Sequence, residues 1–324
     1  MASRRIAVLL AGQGAQHRGM GVELYGADAG FTAAMDEFFT LMGTEGGRLR
    51  ADWLADEPVV PLDDASRAQP LLFALGHALG RALAAHGIHA SVLLGHSVGE
   101  LAAAALAGVF DPRAAAQIML ARQAAMATAP PGGMLAVAAT AAELEPWFDA
   151  GARSDGMGVG AINAPRQTVL AGPEPRLTIM TKALLDNGIK SRRVGSRQPF
   201  HCPAVADAAT LFESGFVGIS LAPPEIPIWS TRTARPVQPG EAVTARFWAR
   251  QLAERVLFWP ALDGLLASGE FTLVEAGPGR GLSMLARRHP AVRSGRSEVV
   301  PLLPTGAAGT LDGWHAALER LTAG

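Results

Sequence analysis

Three times along this chain a short apolar run meets a glycine turn and then a helix-forming stretch. Residues 6–11 lead into Gly12-Gln13-Gly14-Ala15-Gln16, and residues 91–94 lead into Gly95-His96-Ser97-Val98-Gly99 and a helical run over 100–107. Residues 272–275 lead into Gly277-Pro278-Gly279 and a helical run over 282–288. Apolar runs without polar alternation mark strands covered on both faces, which is the situation in a parallel sheet crossed by helices. Such sheets bind ligands at the carboxyl ends of their strands, where the three glycine turns lie. The run 70–87 predicts an amphipathic helix feeding the second of these strands.

The middle of the chain has a different rhythm. Residues 134–139, 159–163, 168–171 and 190–194 are strand-like, and 141–150 and 175–187 are helix-like, the latter ending at Gly188 as a C-cap. The order β-α-β-β-α-β is that of a small ferredoxin-like unit. The prediction is therefore an α/β fold with a large parallel-sheet domain, 1–130 and 198–324, interrupted by a ferredoxin-like subdomain, 131–197.

Charge and cysteine content narrow the class of function. A formal net charge of -1 supplies no global basic field for nucleic acid or an anionic membrane. The single cysteine, Cys202, cannot form an intramolecular disulfide or a multi-cysteine metal site, and fits a reducing compartment. The apolar run after the arginines of residues 1–5 is too short for a signal sequence, and 101–110 is too short to span a bilayer. The expectation is a soluble cytoplasmic protein without a resident metal, with neither nucleic acid nor membrane as partner.

Gly95-His96-Ser97-Val98-Gly99 fits the pattern G-x-S-x-G. On a tight strand-to-helix turn this pattern projects the serine hydroxyl and leaves the next amide, that of Val98, free to donate to an oxyanion. The pattern alone is equally a glycine-rich turn with an incidental serine. The strand before it and the helix after it favour a nucleophile. A serine also needs a base. Of the eight histidines, His96 adjoins the serine and is expected to point away, His86 and His89 flank a turn, and His289 and His315 lie in polar stretches. His201 sits in a loop just past the small unit, where it would face Ser97 across a cleft. Spacing ranks it only somewhat above a structural loop histidine.

Gly12-Gln13-Gly14-Ala15-Gln16, Gln69-Pro70, Gly95-His96-Ser97-Val98-Gly99-Glu100, Arg122, Asn163, Phe200-His201 and Glu275-Ala276-Gly277-Pro278-Gly279 follow one another along nearly the whole chain. This series resembles the malonyl-CoA:acyl-carrier-protein transacylases and the acyltransferase domains of polyketide synthases. Trp229-Ser230-Thr231 and 247–252 are more similar to the polyketide branch, and the length suggests a free-standing enzyme acting in trans.

The resemblance implies an α/β-hydrolase-like large domain, Ser97 as nucleophile and His201 as general base oriented by a backbone carbonyl. It also implies oxyanion amides from Gln13 and Val98 and a substrate wall that includes His96 and Asn163. No permanently bound cofactor is implied. A coenzyme A thioester is the substrate, and the partner is an acyl carrier protein with its phosphopantetheine thiol.

Within the resemblance, Arg122 pairs with the free carboxylate of a malonyl-type substrate, although a helix arginine is ordinarily a solvated surface residue. The aromatic Phe200 before the histidine accompanies malonyl, the alternative being plain core packing. Two departures from the family pattern border the pocket: Pro199-Phe200-His201-Cys202 after Gln198, and Ala11 in place of the common proline. Arg153, Arg192, Arg193 and Arg197 form a candidate docking patch for an acidic carrier, or a solvated charged face. Rival readings are transfer of another acyl chain between carriers, hydrolysis of acyl thioesters, and an idle carrier-binding module.

Overall fold

The computed structural model describes residues 4–323; part of the N-terminal segment weighed above as a signal sequence, residues 1–3, lies outside it. Its strands, in chain order, are β1 (Arg5–Leu10), β2 (Val92–Gly95), β3 (Gly132–Val137), β4 (Gly158–Ala164) and β5 (Gln167–Pro173). They continue with β6 (Ser191–Arg193), β7 (Ile228–Ser230), β8 (Arg235–Pro236), β9 (Phe271–Ala276) and β10 (Glu298–Pro301).

Six of them form one sheet in the order β10-β9-β1-β2-β7-β8, parallel except for the terminal β7–β8 pair. Alternation along β1 divides the apolar side chains between two layers. Val8 and Leu10 join a core with Leu71, Leu75, Val98 and Leu101, while Ala7 and Leu9 join another with Phe258, Leu262 and Leu265. The sheet is thus covered on both faces, as the unbroken apolar runs require. The glycine turns after β1, β2 and β9 emerge together at its carboxyl edge, because those three strands are parallel and adjacent.

The other four strands form an antiparallel sheet in the order β4-β5-β3-β6, with its own core of Leu135, Val137, Leu144, Phe148, Leu170, Leu177, Met180 and Leu184. This is the ferredoxin-like arrangement. It is stitched to the large domain by one parallel bridge, in which Ile162 N–H donates to Val256 O and Val256 N–H donates to Gly160 O, both at 2.8 Å.

Two expectations need correction. The helix expected over 70–87 runs Ala65–Ala85 and is buried on most sides rather than amphipathic. Asp64 caps it by accepting from Ser66 N–H at 2.9 Å, which moves its start ahead of Pro70. A proline inside a helix costs ~3 kcal/mol, partly because the carbonyl four residues back loses its donor. That carbonyl, Ser66 O, instead receives the Gln123 side-chain amide at 2.7 Å. The helix expected over 141–150 is broken into Ala141–Leu144, the tighter turn Glu145–Trp147 and Ala150–Ser154, because Pro146 cannot continue the hydrogen-bond ladder. No helix among the described residues is long and apolar enough to cross a membrane, and no group of His, Cys, Asp or Glu among them has the arrangement of a metal site.

Candidate active site

The turn between β2 and the helix Val98–Leu106 is forced by close approach. A side chain at Gly95 would lie 2.2 Å from Glu100 N, and one at Gly99 would lie 2.2 Å from Leu10 O. With glycine two positions away on either side, Ser97 takes φ 54° and ψ -122°, a conformation rare for a residue with a side chain. Its backbone is clamped from outside, since Gln251 Nε2–H donates to Ser97 O at 2.9 Å. Beneath the turn, Glu100 is fully buried and accepts from Ser230 Oγ–H at 2.6 Å and from Thr231 N–H at 3.1 Å. The Trp229-Ser230-Thr231 segment is thereby fastened to the Ser97 turn.

Ser97 Oγ stands 2.7 Å from His201 Nε2. His201 Nδ1 lies 2.9 Å from Gln251 O and 3.0 Å from Glu254 O. Carbonyl oxygens only accept, so the proton sits on Nδ1, and Nε2 presents a lone pair toward which the Ser97 hydroxyl donates. Burial, the Arg122 charge and His96 lower the His201 pKa to about 3, so the ring is neutral at physiological pH. The two residues are 104 positions apart in the chain and come together because the segment after β6 returns to the large domain, where His201 N–H donates to Leu252 O at 2.9 Å.

Above this pair, the loop after β1 is held by the Gln16 side chain, which accepts from Gly14 N–H at 2.7 Å and donates to Asp63 at 2.8 Å. The backbone amides of Gln13, in this loop, and of Val98, at the helix start, have no acceptor among the described residues. The positive end of the helix Val98–Leu106 adds to the field at the same point. Gln13, His96 and Asn163 line a cavity of about 330 Å³ that also receives Arg192 and Arg288. His96 does turn away from Ser97, its Nε2 lying 2.9 Å from Asn163 Oδ1 across the domain boundary.

Arg122 is 1% exposed, against the usual solvated position of a helix arginine. Its Nε–H donates to Gln69 Oε1 at 2.6 Å, while Nη1 and Nη2 are buried without a partner among the described residues. Desolvation lowers its pKa to about 9, which still leaves it charged at neutral pH. A buried cation with only its Nε–H paired is costly unless an anion is supplied to it. Phe200 is buried in the main core with its ring centroid 6.3 Å from that of His201.

The four arginines of the candidate docking patch have different surroundings. Arg193 is paired with Glu174 at 2.6 Å and Arg153 with Glu145, while Arg192 lines the cavity beside Gln13. Arg197 lines a separate cleft with Asp63 and Asp64. His289, expected in a polar stretch, is buried with Nε2 3.0 Å from Asp263. Gln251, Glu254 and the linking role of Gln69 were not legible from residue chemistry. Gln251 and Glu254 hold the His201 ring through backbone carbonyls, which leave no side-chain signature, and Gln69 stood out only within the Gln69-Pro70 resemblance.

The model of the family described as "Acyl transferase domain" matches residues 8–311. A component of the phenolphthiocerol/phthiocerol polyketide synthase of Mycobacterium tuberculosis is 33% identical over 289 residues, which are 89% of this chain and 19% of that protein. The chain therefore spans about a fifth of that relative's length. The acyltransferase domain from the second module of the salinomycin polyketide synthase superposes with a TM-score of 0.86 at 30% identity, covering 98% of this chain and 72% of that one. The malonyl CoA-acyl carrier protein transacylase of Coxiella burnetii superposes with a TM-score of 0.82 at 25% identity, covering 99% and 98%.

Proposed function

Because the chain belongs to the acyl transferase domain family, we propose that it carries a malonyl-type acyl group on Ser97 from a coenzyme A thioester to the phosphopantetheine thiol of an acyl carrier protein, in polyketide or related biosynthesis. The observation that carries the dicarboxylic reading is the buried Arg122 fork, whose two unpaired nitrogens match the geometry of a carboxylate.

The steps follow from the hydrogen-bond directions. His201 Nε2 takes the Ser97 proton as Oγ attacks the thioester carbonyl, and the oxyanion that forms is met by the Gln13 and Val98 amides. Collapse breaks the carbon–sulfur bond, and the departing thiolate receives the proton held on Nε2. The acyl ester remains on Ser97. A carrier thiol then repeats the sequence in reverse, its proton passing to His201 and back to Ser97 as the ester is cleaved. The carbonyls of Gln251 and Glu254 hold Nδ1–H throughout, in the place a carboxylate occupies in other serine enzymes. A bound substrate carboxylate also offsets the Arg122 charge that holds the His201 pKa down, which raises the basicity of the ring when substrate is in place.

Initial rates with malonyl-CoA and pantetheine as acceptor test this reading. Parallel double-reciprocal lines are expected for an acyl-enzyme intermediate; lines that intersect would mean direct transfer in a ternary complex.

A further inference from the structure

We propose that the side-chain amide of Gln13, as distinct from its backbone N–H, is a third donor to the substrate carboxylate, with its orientation set through Gln69 by Arg122. This rests on the reading of Arg122 as the carboxylate's partner.

Hydrogen-bond polarity dictates the orientation. A guanidinium has no acceptor, so Arg122 Nε–H, 2.6 Å away, requires the oxygen of the Gln69 amide to face it. The nitrogen of Gln69 is then turned to the other side, where it donates to Gln13 Oε1 at 3.0 Å. With its oxygen occupied, Gln13 has only its NH2 group to present. Gln13 Nε2 is indeed buried without a partner among the described residues, in the same condition as Nη1 and Nη2 of Arg122.

The relay thus has a cation at one end and an amide donor at the other, joined by a glutamine that can face only one way. Every free group on it is a donor. Gln13 and Arg122 are linked through the one Gln69 amide, and unmatched buried donors on such a relay call for an acceptor. A carboxylate offers about four lone-pair sites, so the arginine fork fills two and leaves others open to an amide. Gln13 would then contact a malonyl group at both ends, its backbone N–H at the thioester carbonyl and its side chain at the carboxylate.

The test compares acyl-enzyme formation from malonyl-CoA and acetyl-CoA in the wild type, Gln13→Leu, Gln13→Met, Gln69→Leu and Arg122→Ala. Substitution at position 13 keeps the backbone amide but can shift the oxyanion loop, so the readout is the ratio of malonyl to acetyl rates, which a loop defect leaves unchanged because it lowers both alike. The expected result is a fall of about 10-fold or more in the ratio of malonyl to acetyl kcat/KM for both Gln13 variants, with the malonyl loss mainly in KM. Gln69→Leu should fall in the same direction, because the Gln13 amide is then free to turn over. Equal loss of malonyl and acetyl transfer in both Gln13 variants would overturn the proposal and leave the side chain a support of the loop. If Arg122→Ala discriminates between the two substrates and Gln13→Met does not, only this inference fails; if Arg122→Ala does not discriminate, the carboxylate reading fails with it.

Discussion

The side chain of Gln251 donates to the Ser97 carbonyl at 2.9 Å, and the carbonyl of the same residue receives Nδ1–H of His201, also at 2.9 Å. One residue therefore holds both the Ser97 turn and the His201 ring, whose Oγ and Nε2 stand 2.7 Å apart.

Replacing Gln251 with leucine keeps the backbone carbonyl and removes the clamp on Ser97. Misplacement of reacting atoms by about an ångström costs on the order of 100-fold in rate. The expected outcome is a fall of that order in kcat with KM within a few-fold of wild type, read by steady-state kinetics. A change confined to KM would place Gln251 in substrate binding.

Arg122 sets function against stability. Its two unpaired guanidinium nitrogens are buried with no counter-ion bonded to them among the described residues, a condition that the proposed substrate carboxylate would relieve. Arg122→Met, similar in length and apolar, removes that burden, and exchanges of this kind are often stabilising by about 1–4 kcal/mol. The expected result is a higher Tm in the absence of substrate, together with selective loss of dicarboxylic substrates. A lower Tm would show that the Gln69 contact and the packing of Arg122 over Phe212 outweigh the desolvation.

The His201 pKa of about 3 lies well below the ordinary histidine value of about 6.5, with burial as the largest cause. The free enzyme keeps its base neutral as pH falls through 6.5, so kcat/KM for malonyl-CoA should show no acid limb near that value. Stability has the opposite sensitivity. Below about 6.5 the unfolded chain takes up a proton that folded His201 refuses until about pH 3, so stability declines through this window. His201→Gln should have a shallower decline over the same range in denaturant titrations. An acid limb in kcat/KM near 6.5 would mean that the ring is far more solvated than its burial indicates.

The parallel sheet and the inserted subdomain were legible because they depend on local patterns. Unbroken apolar runs ending in glycine identified β1, β2 and β9, and the alternation of strand and helix rhythms identified the subdomain. Pro70 misled the reading of helix start, since its loss of a donor is repaired by Gln123, 57 positions from the Ser66 carbonyl it meets. The site was legible in its side chains and illegible in what orients them. Ser97 stands in a G-x-S-x-G motif and Arg122 was reached only through the family resemblance, whereas the Gln251 and Glu254 carbonyls could be any residue's. The direction of the Gln13–Gln69–Arg122 relay likewise exists only once the chain has folded. Arg192 and Arg193, adjacent on a strand, go to different surroundings, one lining a cavity and the other paired with Glu174, which their sequence clustering alone does not convey.

The most direct test of Ser97 as the acyl carrier is intact-protein mass spectrometry after brief incubation with malonyl-CoA or acetyl-CoA, on the wild type, Ser97→Ala and Arg122→Ala. A malonyl-sized adduct is expected on the wild type, none on Ser97→Ala, and a strong bias toward acetyl on Arg122→Ala. A malonyl adduct that persists at wild-type level in Ser97→Ala would contradict the assignment.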